Sequence, residues 1–398
     1  MSTERDTGNA RAAHVLLYGQ RVGVLEQTRG GQVVYRHDGP PLGLRAPGPA
    51  TRGASPLPLW FENLLPESGS ALRTALCNEL GIGERQSFRL LVALGEDLPG
   101  AVQVVGGLDA QDSDAGDGSL PVPGQYRFSL AGMQLKYAVT LRDGRYALPV
   151  RGHSSRFIAK FPSSVYPGLP QVEHATMRWA AAAGFDVPAT EVVRAAALDV
   201  ALPGRLDPDG SVFIVERYDR RGEARVHQED AAQALGLAPD HKYGDSGSAR
   251  FSYDTLGRFV ADQLGAAAAE EFVRRVAFVV ASGNGDAHLK NWSFLREHDG
   301  AIRWSPLYDQ VCTANWNAAE PLALALGRDR SAHVSRERVE IFAARSGVSR
   351  GVALFYDTLE RIAAAWPEIE SLVPDSMRDT LRTRWAQVPC LRAVGSLR

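Results

Sequence analysis

Asp286, His288, Lys290 and Asn291 interrupt an apolar stretch in ASGNGDAHLKNWSFL, residues 281–295. A carboxylate, an imidazole, an ammonium and an amide held between VAFVVA and WSFL suit the handling of a charged substrate, and phosphoryl transfer asks for such a set. Asp286 and Asn291 stand five positions apart. That spacing lets the carboxylate reach an attacking hydroxyl while the amide oxygen turns back onto a metal ion. Asp309, in SPLYDQV, comes after a short hairpin and is placed to be a second metal ligand. Lys160, on the strand RFIAKFP, is spaced like the lysine that pairs with nucleotide phosphates, and it shares an inward face with Ile158. Glu173, near the start of the next helix, is placed to pair with Lys160 and hold it. His288 reads either as a nucleotide or phosphate contact or as a brace for the loop backbone. Lys290 reads either as a group that neutralises a transferring phosphoryl or as a solvated charge.

The elements that must position these residues can be read from pattern. HVLLYGQRVGVLE, residues 14–26, reads as two short strands about a Gly19-Gln20 turn, and QVVYRHD, residues 32–38, as a third. A Pro/Gly-rich passage leads to WFENLLPESGS, and LCNELGIGERQSFRLLVALG reads as two short helices. GGLDAQDSDAGDGSL, residues 106–120, is linker-like. Its acidic spacing is not a calcium loop, since Gly116 stands where a third ligand is needed and no Glu closes the set. From Tyr126 come the strand signals YRFSLAGM, KYAVTLRDG, RYALPV and RFIAKFP, then the helix QVEHATMRWAAAAG. VFIVERYDR, residues 212–220, is a strand entering a charged turn. The remainder reads as helical, with NWSFLRE and AIRWSPLYD as its only strands. The prediction is an α+β fold of two lobes, the first β-rich and the second mostly helical, with a ligand cleft between them. Three segments are expected: 1–105, 106–215 and 216–398.

The whole chain narrows the function classes. Its 398 residues carry a formal net charge of -2, so no global positive field draws it to nucleic acid or to an anionic membrane. Three dispersed cysteines, Cys77, Cys312 and Cys390, form neither a metal pair nor a disulfide framework, which suits a reducing cytoplasm. The polar start MSTERDTGNARAA has no signal-peptide core, and the apolar runs are too short to span a bilayer. A cytoplasmic protein with no membrane partner is expected.

DAHLKN with PLYD resembles the HipA family, the serine/threonine kinase toxins of bacterial type II toxin–antitoxin modules. WFENLLPES, FSLAGMQLKYAV, FIAKFPSS, EHATMRWAAAAGFDVPATEV, VERYDR and HQEDAAQALG are similar to that family in order along nearly the whole chain. The resemblance implies a kinase-like fold with a small barrel-like subdomain at the start. It implies Asp286 as catalytic base, with Lys290 and His288 beside it, and Asn291 and Asp309 as Mg2+ ligands. Lys160 would contact the phosphates of ATP with Lys136 of the phosphate loop assisting, and Ala131, Gly132, Met133 and Gln134 would form the core of that loop. Glu216 and Tyr218 would offer backbone groups to adenine, and Ser129 matches a serine that some members autophosphorylate. There a dianionic phosphate would compete with the nucleotide for the same amides and cations. The sequence departs from a glycine-rich cradle, because Gly132 is the only glycine in the loop's core. Met133 and Leu135 occupy variable positions, and Asn284-Gly285 precede the acid where relatives vary. By resemblance the chain is expected to be an ATP- and Mg2+-dependent protein serine/threonine kinase that arrests growth, a persistence toxin. Its target would be an aminoacyl-tRNA synthetase such as the glutamyl enzyme. A HipB-like helix-turn-helix antitoxin would neutralise it, with operator DNA contacted only through that partner. Two alternatives stand beside it: a lipid or small-molecule kinase, since Asp-x-His-x-x-Asn also resembles the phosphatidylinositol kinase loop, and a pseudokinase that only binds.

Overall fold

The computed structural model describes residues 12–45, 56–106, 128–129, 135–149, 155–200, 207, 209–246 and 249–397. The phosphate-loop residues Ala131, Gly132, Met133 and Gln134, and most of the acidic stretch 106–120, lie outside the described residues. So does the side chain of Ser129.

Strands β1 (Ala12–Leu17) and β2 (Gln20–Gln27) form a hairpin. It turns on Tyr18-Gly19, both at positive φ (53° and 77°), as two-residue hairpins require. The turn therefore falls one residue earlier than Gly19-Gln20. β3 (Val33–His37) pairs with β2. Helices α1 (Leu59–Glu62), α2 (Ala71–Leu80) and α3 (Ser87–Leu94) come next, and β4 (Val102–Gly106) returns to pair with β1. Ser70 caps α2 by accepting the Arg73 N–H, and Gly81 ends it in the left-handed region. The sheet order is β3-β2-β1-β4. Among the described residues this sheet is open, not the expected small barrel: β3 and β4 remain its edges, and the helices cover one face. Leu76, Phe61 and Leu91 pack with Val15 and Val102 in a core of their own.

A second, seven-stranded sheet takes the middle of the chain. It contains β5 (Phe128–Ser129), β6 (Leu135–Arg142), β7 (Arg145–Ala147), β8 (Phe157–Lys160), β9 (Thr190–Arg194), β10 (Leu198–Asp199) and β11 (Ser211–Glu216). The order is β10-β7-β6-β8-β11-β9, with β5 on β6. β11 stops at Glu216, earlier than Arg220, because Arg217, Asp219 and Arg220 turn into a buried ionic cluster. Between β8 and β9 runs α4 (Leu169–Ala182). It belongs to the 106–215 segment by sequence, yet its Trp179 is fully buried in the helical core beyond that sheet, near Trp366 and Trp385. Its indole N–H donates to the Ile362 carbonyl at 2.9 Å.

The rest is mainly helical. After the short pair β12 (Arg220–Arg221) and β13 (Ala224–Arg225) come β14 (His227–Asp230), α5 (Ala231–Leu235), β15 (Asp245–Ser246) and β16 (Ala249–Arg250). Helices α6 (Tyr253–Leu264) and α7 (Ala266–Ser282) lead to the hairpin β17 (Ser293–Arg296) and β18 (Ile302–Trp304). Helices α8 (Arg336–Arg345), α9 (Gly351–Ala364), α10 (Trp366–Ile369), α11 (Asp375–Gln387) and α12 (Pro389–Arg392) close the chain. β14 corrects the expectation that β17 and β18 stand alone: the three form one sheet, β14-β17-β18. No helix among the described residues is long and apolar enough to cross a membrane.

Candidate active site

The catalytic-loop candidates begin where α7 ends. Gly283 terminates that helix at φ 67° and returns its N–H to the carbonyls of Val279 and Val280. Asn284, fully buried, then folds the loop on itself. Its Oδ1 accepts the Asp286 N–H at 2.9 Å, and its Nδ2 donates to Gln310 Oε1 at 3.2 Å. The Gly285 N–H donates to Thr313 Oγ1 at 2.7 Å. Asn291 Nδ2 closes the loop on the Asp286 carbonyl at 2.9 Å, which leaves Asn291 Oδ1 as the atom a cation would use. Below the loop, the Trp292 indole and the Tyr253 hydroxyl both donate to the Ala287 carbonyl. The Tyr308 hydroxyl donates to the Lys290 carbonyl at 2.7 Å.

Asp309 sits on the far side of the β17–β18 hairpin at φ 54°. Non-glycine residues rarely enter that left-handed region, and such conformations concentrate at working sites. Lys160, at the end of β8, donates to Glu173 Oε1 at 2.5 Å and also to Asp309 Oδ1. One buried ammonium thus bridges an acid of α4 and the acid after the hairpin. Burial alone would lower the Lys160 pKa, but Asp309 and Glu173 outweigh it and hold the group firmly charged. Burial lifts Glu173 to about 7 against the pull of Lys160. Burial also works against the Asp309 carboxylate, yet Lys160 and Lys136 override it and hold that carboxyl far below its ordinary range.

Lys136, read from the sequence as part of the phosphate loop, stands instead on β6, directly across from Lys160. Burial and the charge of Lys160 together depress its pKa. Like charges set opposite one another in a sheet are unfavourable. Asp309 and Glu173 offset part of that cost, and an anion in the cleft would offset more.

Asp286 Oδ1 accepts a hydrogen bond from the Tyr243 hydroxyl at 2.8 Å. Burial raises the Asp286 carboxyl to about 6, with Asp309 adding to the rise and Tyr243 opposing it. His288 is 8% exposed, and its Nδ1 has no hydrogen-bond partner among the described residues. Burial, reinforced by Lys242, pushes its pKa down to about 3, so the ring is neutral. Lys290 is neither free nor directed at Asp286. Its ammonium donates to the Asn63 carbonyl at 2.8 Å, tying the loop to the N-terminal domain. Glu216 places its carboxylate on Arg156 and its N–H on the Ala189 carbonyl. The Tyr218 hydroxyl donates to Gln228, and its ring lies 5.0 Å from that of Tyr308.

Asp286, Asn291, Asp309, Lys160, Lys136 and Tyr218 all line one cleft of about 870 Å³, the size range of small-ligand sites. Among the described residues no cluster of three or more His, Cys, Asp or Glu side chains is arranged to hold a metal. The donors present are one amide oxygen and one ionised carboxylate, both hard oxygen ligands. That set fits Mg2+, which takes few protein ligands and completes its shell with water and phosphate.

Comparison with known proteins agrees with this architecture. Residues 13–105 match the HipA N-terminal domain and residues 128–366 the HipA-like C-terminal domain. The Sinorhizobium fredii protein Y4dM, whose name gives an inferred kinase, is 35% identical over 348 residues, covering 84% of this chain and 83% of its own. The Shewanella oneidensis serine/threonine-protein kinase toxin HipA is 28% identical over 368 residues, 84% of this chain and 81% of its own. Among solved structures, the S. oneidensis HipA, HipB and operator DNA complex contains a chain that superposes with a TM-score of 0.74 at 24% identity. The match covers 97% of this chain and 98% of that one.

Proposed function

The chain belongs to the HipA family, and from that premise we propose that it is an ATP- and magnesium-dependent protein serine/threonine kinase, the toxin of a toxin–antitoxin pair. The observation that carries this reading is the convergence of Asp286, Asn291 and Asp309 on the cleft faced by Lys160 and Lys136. The sheet β5–β11 is then the N-lobe, and the helices from α5 onward are the C-lobe.

In this reading the two lysines form the phosphate-binding floor, Lys160 oriented by Glu173. His288 lines the cleft beside the catalytic loop as a neutral ring, and Glu216 and Tyr218 present backbone groups to adenine. Asn291 Oδ1 and the Asp309 carboxylate would hold Mg2+, which when bound neutralises charge on the phosphate oxygens. Asp286 orients the acceptor hydroxyl and takes its proton. A carboxyl poised near 6 is ionised for much of the protein population at neutral pH and still basic enough to accept. Lys290 acts as a brace on Asn63. The acceptor is a protein, with an aminoacyl-tRNA synthetase as target class, and Ser129 is an autophosphorylation site. A HipB-like antitoxin is the expected partner; the S. oneidensis relative assembled with HipB and operator DNA supports that.

The test is transfer from γ-labelled ATP to protein and lipid extracts. Label is expected in protein, and chelation of Mg2+ by EDTA should abolish it. Label confined to lipid would transfer the assignment to the lipid kinases, and no label at all would leave only a binding module.

A further inference from the structure

Tyr243 lies outside the short motifs read from the sequence, and it stands 43 residues before Asp286, to which it donates at 2.8 Å. We infer that Tyr243 is the positioning residue for Asp286: its hydroxyl occupies Oδ1 and leaves Oδ2 alone to engage the acceptor hydroxyl. This inference rests on the reading of Asp286 as the residue that orients the acceptor.

The tyrosine is fixed from several directions. Its ring meets the His288 ring edge-on at 5.3 Å. The Lys242 ammonium lies 5.2 Å and the Arg330 guanidinium 5.7 Å from its centroid, distances at which cation–π attraction holds a ring in place. The backbone beside it is equally constrained. The Lys242 carbonyl accepts the Leu289 N–H at 2.9 Å, inside the catalytic loop itself. Gly244 comes next at φ 87°, where an added Cβ would lie 2.1 Å from the Phe251 carbonyl oxygen. Finally, the Lys242 ammonium pairs with Glu67 Oε1 at 2.8 Å. The tyrosine thus sits between the N-terminal domain and the catalytic acid.

A carboxylate with both oxygens free can rotate and offer either of them. One whose first oxygen is already bonded offers its second in a fixed direction, and orientation of this kind lowers a barrier without tightening substrate binding. A merely structural tyrosine would instead alter stability or nucleotide affinity.

The experiment compares wild type, Tyr243→Phe, Asp286→Asn and the double variant as full chains, with γ-labelled ATP and Mg2+. It reads phosphoryl transfer by autophosphorylation and ATP turnover, KM for ATP, and thermal midpoint. Tyr243→Phe should lose about tenfold in kcat with KM and midpoint unchanged. In the Asp286→Asn background the same change should cost nothing further, since the two act as a unit. An unchanged kcat in Tyr243→Phe, or a loss that appears equally in KM, overturns the positioning role while leaving Asp286 in place. A further loss of about tenfold in the double variant does the same. Full activity in Asp286→Asn, or no transfer by wild type, overturns the underlying reading and this inference with it.

Discussion

Asn284 and Gly285 read as variable residues ahead of the acid, yet they set its position. Asn284 caps the Asp286 N–H and reaches Gln310, while Gly285 packs where no side chain fits. A Cβ at residue 285 would stand 2.4 Å from Glu320 Cγ, 2.8 Å from the Pro321 carbonyl oxygen and 3.0 Å from Thr313 Oγ1. The Glu320 side chain can move aside, but the backbone carbonyl can yield only if the loop moves. Gly285→Ala is therefore expected to destabilise the protein by about 1–3 kcal/mol, measured by urea unfolding, and to reduce phosphoryl transfer beyond that loss. Wild-type stability and turnover in this variant would show that the loop has slack. At this scale the sequence is most legible where the chemistry is local. Asp286, Asn291 and Asp309 lie on one loop and one hairpin, so spacing alone groups them. Tyr243 carries no such signal, because nothing in a linear pattern marks a contact across 43 positions. Lys290 lines the cleft with Asp286 and Asn291, but its tie to Asn63, 227 positions away, is hidden for a related reason.

Among the elements, β14 is the instructive miss. HQED looks unlike a strand because its inward positions, His227 and Glu229, are polar, although they are only 1% and 5% exposed. Both bond to the N-terminal domain. His227 Nε2 donates to the Leu42 carbonyl at 2.5 Å, and Glu229 accepts from the Leu44 N–H and the Trp60 indole. Hydrophobic alternation cannot reveal a strand whose buried face is a docking surface for another domain. WFENLLPES and HQEDAAQALG are each legible as signatures; that they bind one another is not. The turn after β11 makes a second docking point. Asp97 and Asp219 hold Arg217 and Arg220 between them at 2.8–3.1 Å, and Asp219 also accepts the Gly100 N–H at 2.7 Å. Burial works against the Asp219 charge, but Arg217 and Arg220 outweigh it and bring its pKa down to about 2 from 3.8. The unfolded chain therefore binds this proton first as pH falls. The contribution, about 2 kcal/mol, is complete above pH 3.8 and drains as pH drops through 2. The stability difference between wild type and Asp219→Asn should accordingly shrink over that window, tracked by denaturant unfolding at successive pH values. A difference that stays constant between about pH 4 and 2 would contradict the assignment.

For the whole molecule, the fold class is readable from sequence and its articulation is not. Alternation of strand and helix signals predicts a sheet-rich first part and a helical second part. It does not reveal that α4 anchors Trp179 in the helical core, nor that the N-terminal domain reaches the catalytic loop through Lys290–Asn63 and Lys242–Glu67. These ties join the cleft walls to a domain that supplies none of the proposed catalytic groups, so the cleft is a property of the complete chain. The phosphotransferase reading rests on Asp286, and the most direct measurement is phosphoryl transfer from γ-labelled ATP by Asp286→Asn beside wild type, with Mg2+ and matched thermal midpoints. Loss of transfer by about a thousandfold or more, with the midpoint unchanged, is the predicted result. Transfer within about tenfold of wild type by the folded variant would contradict it.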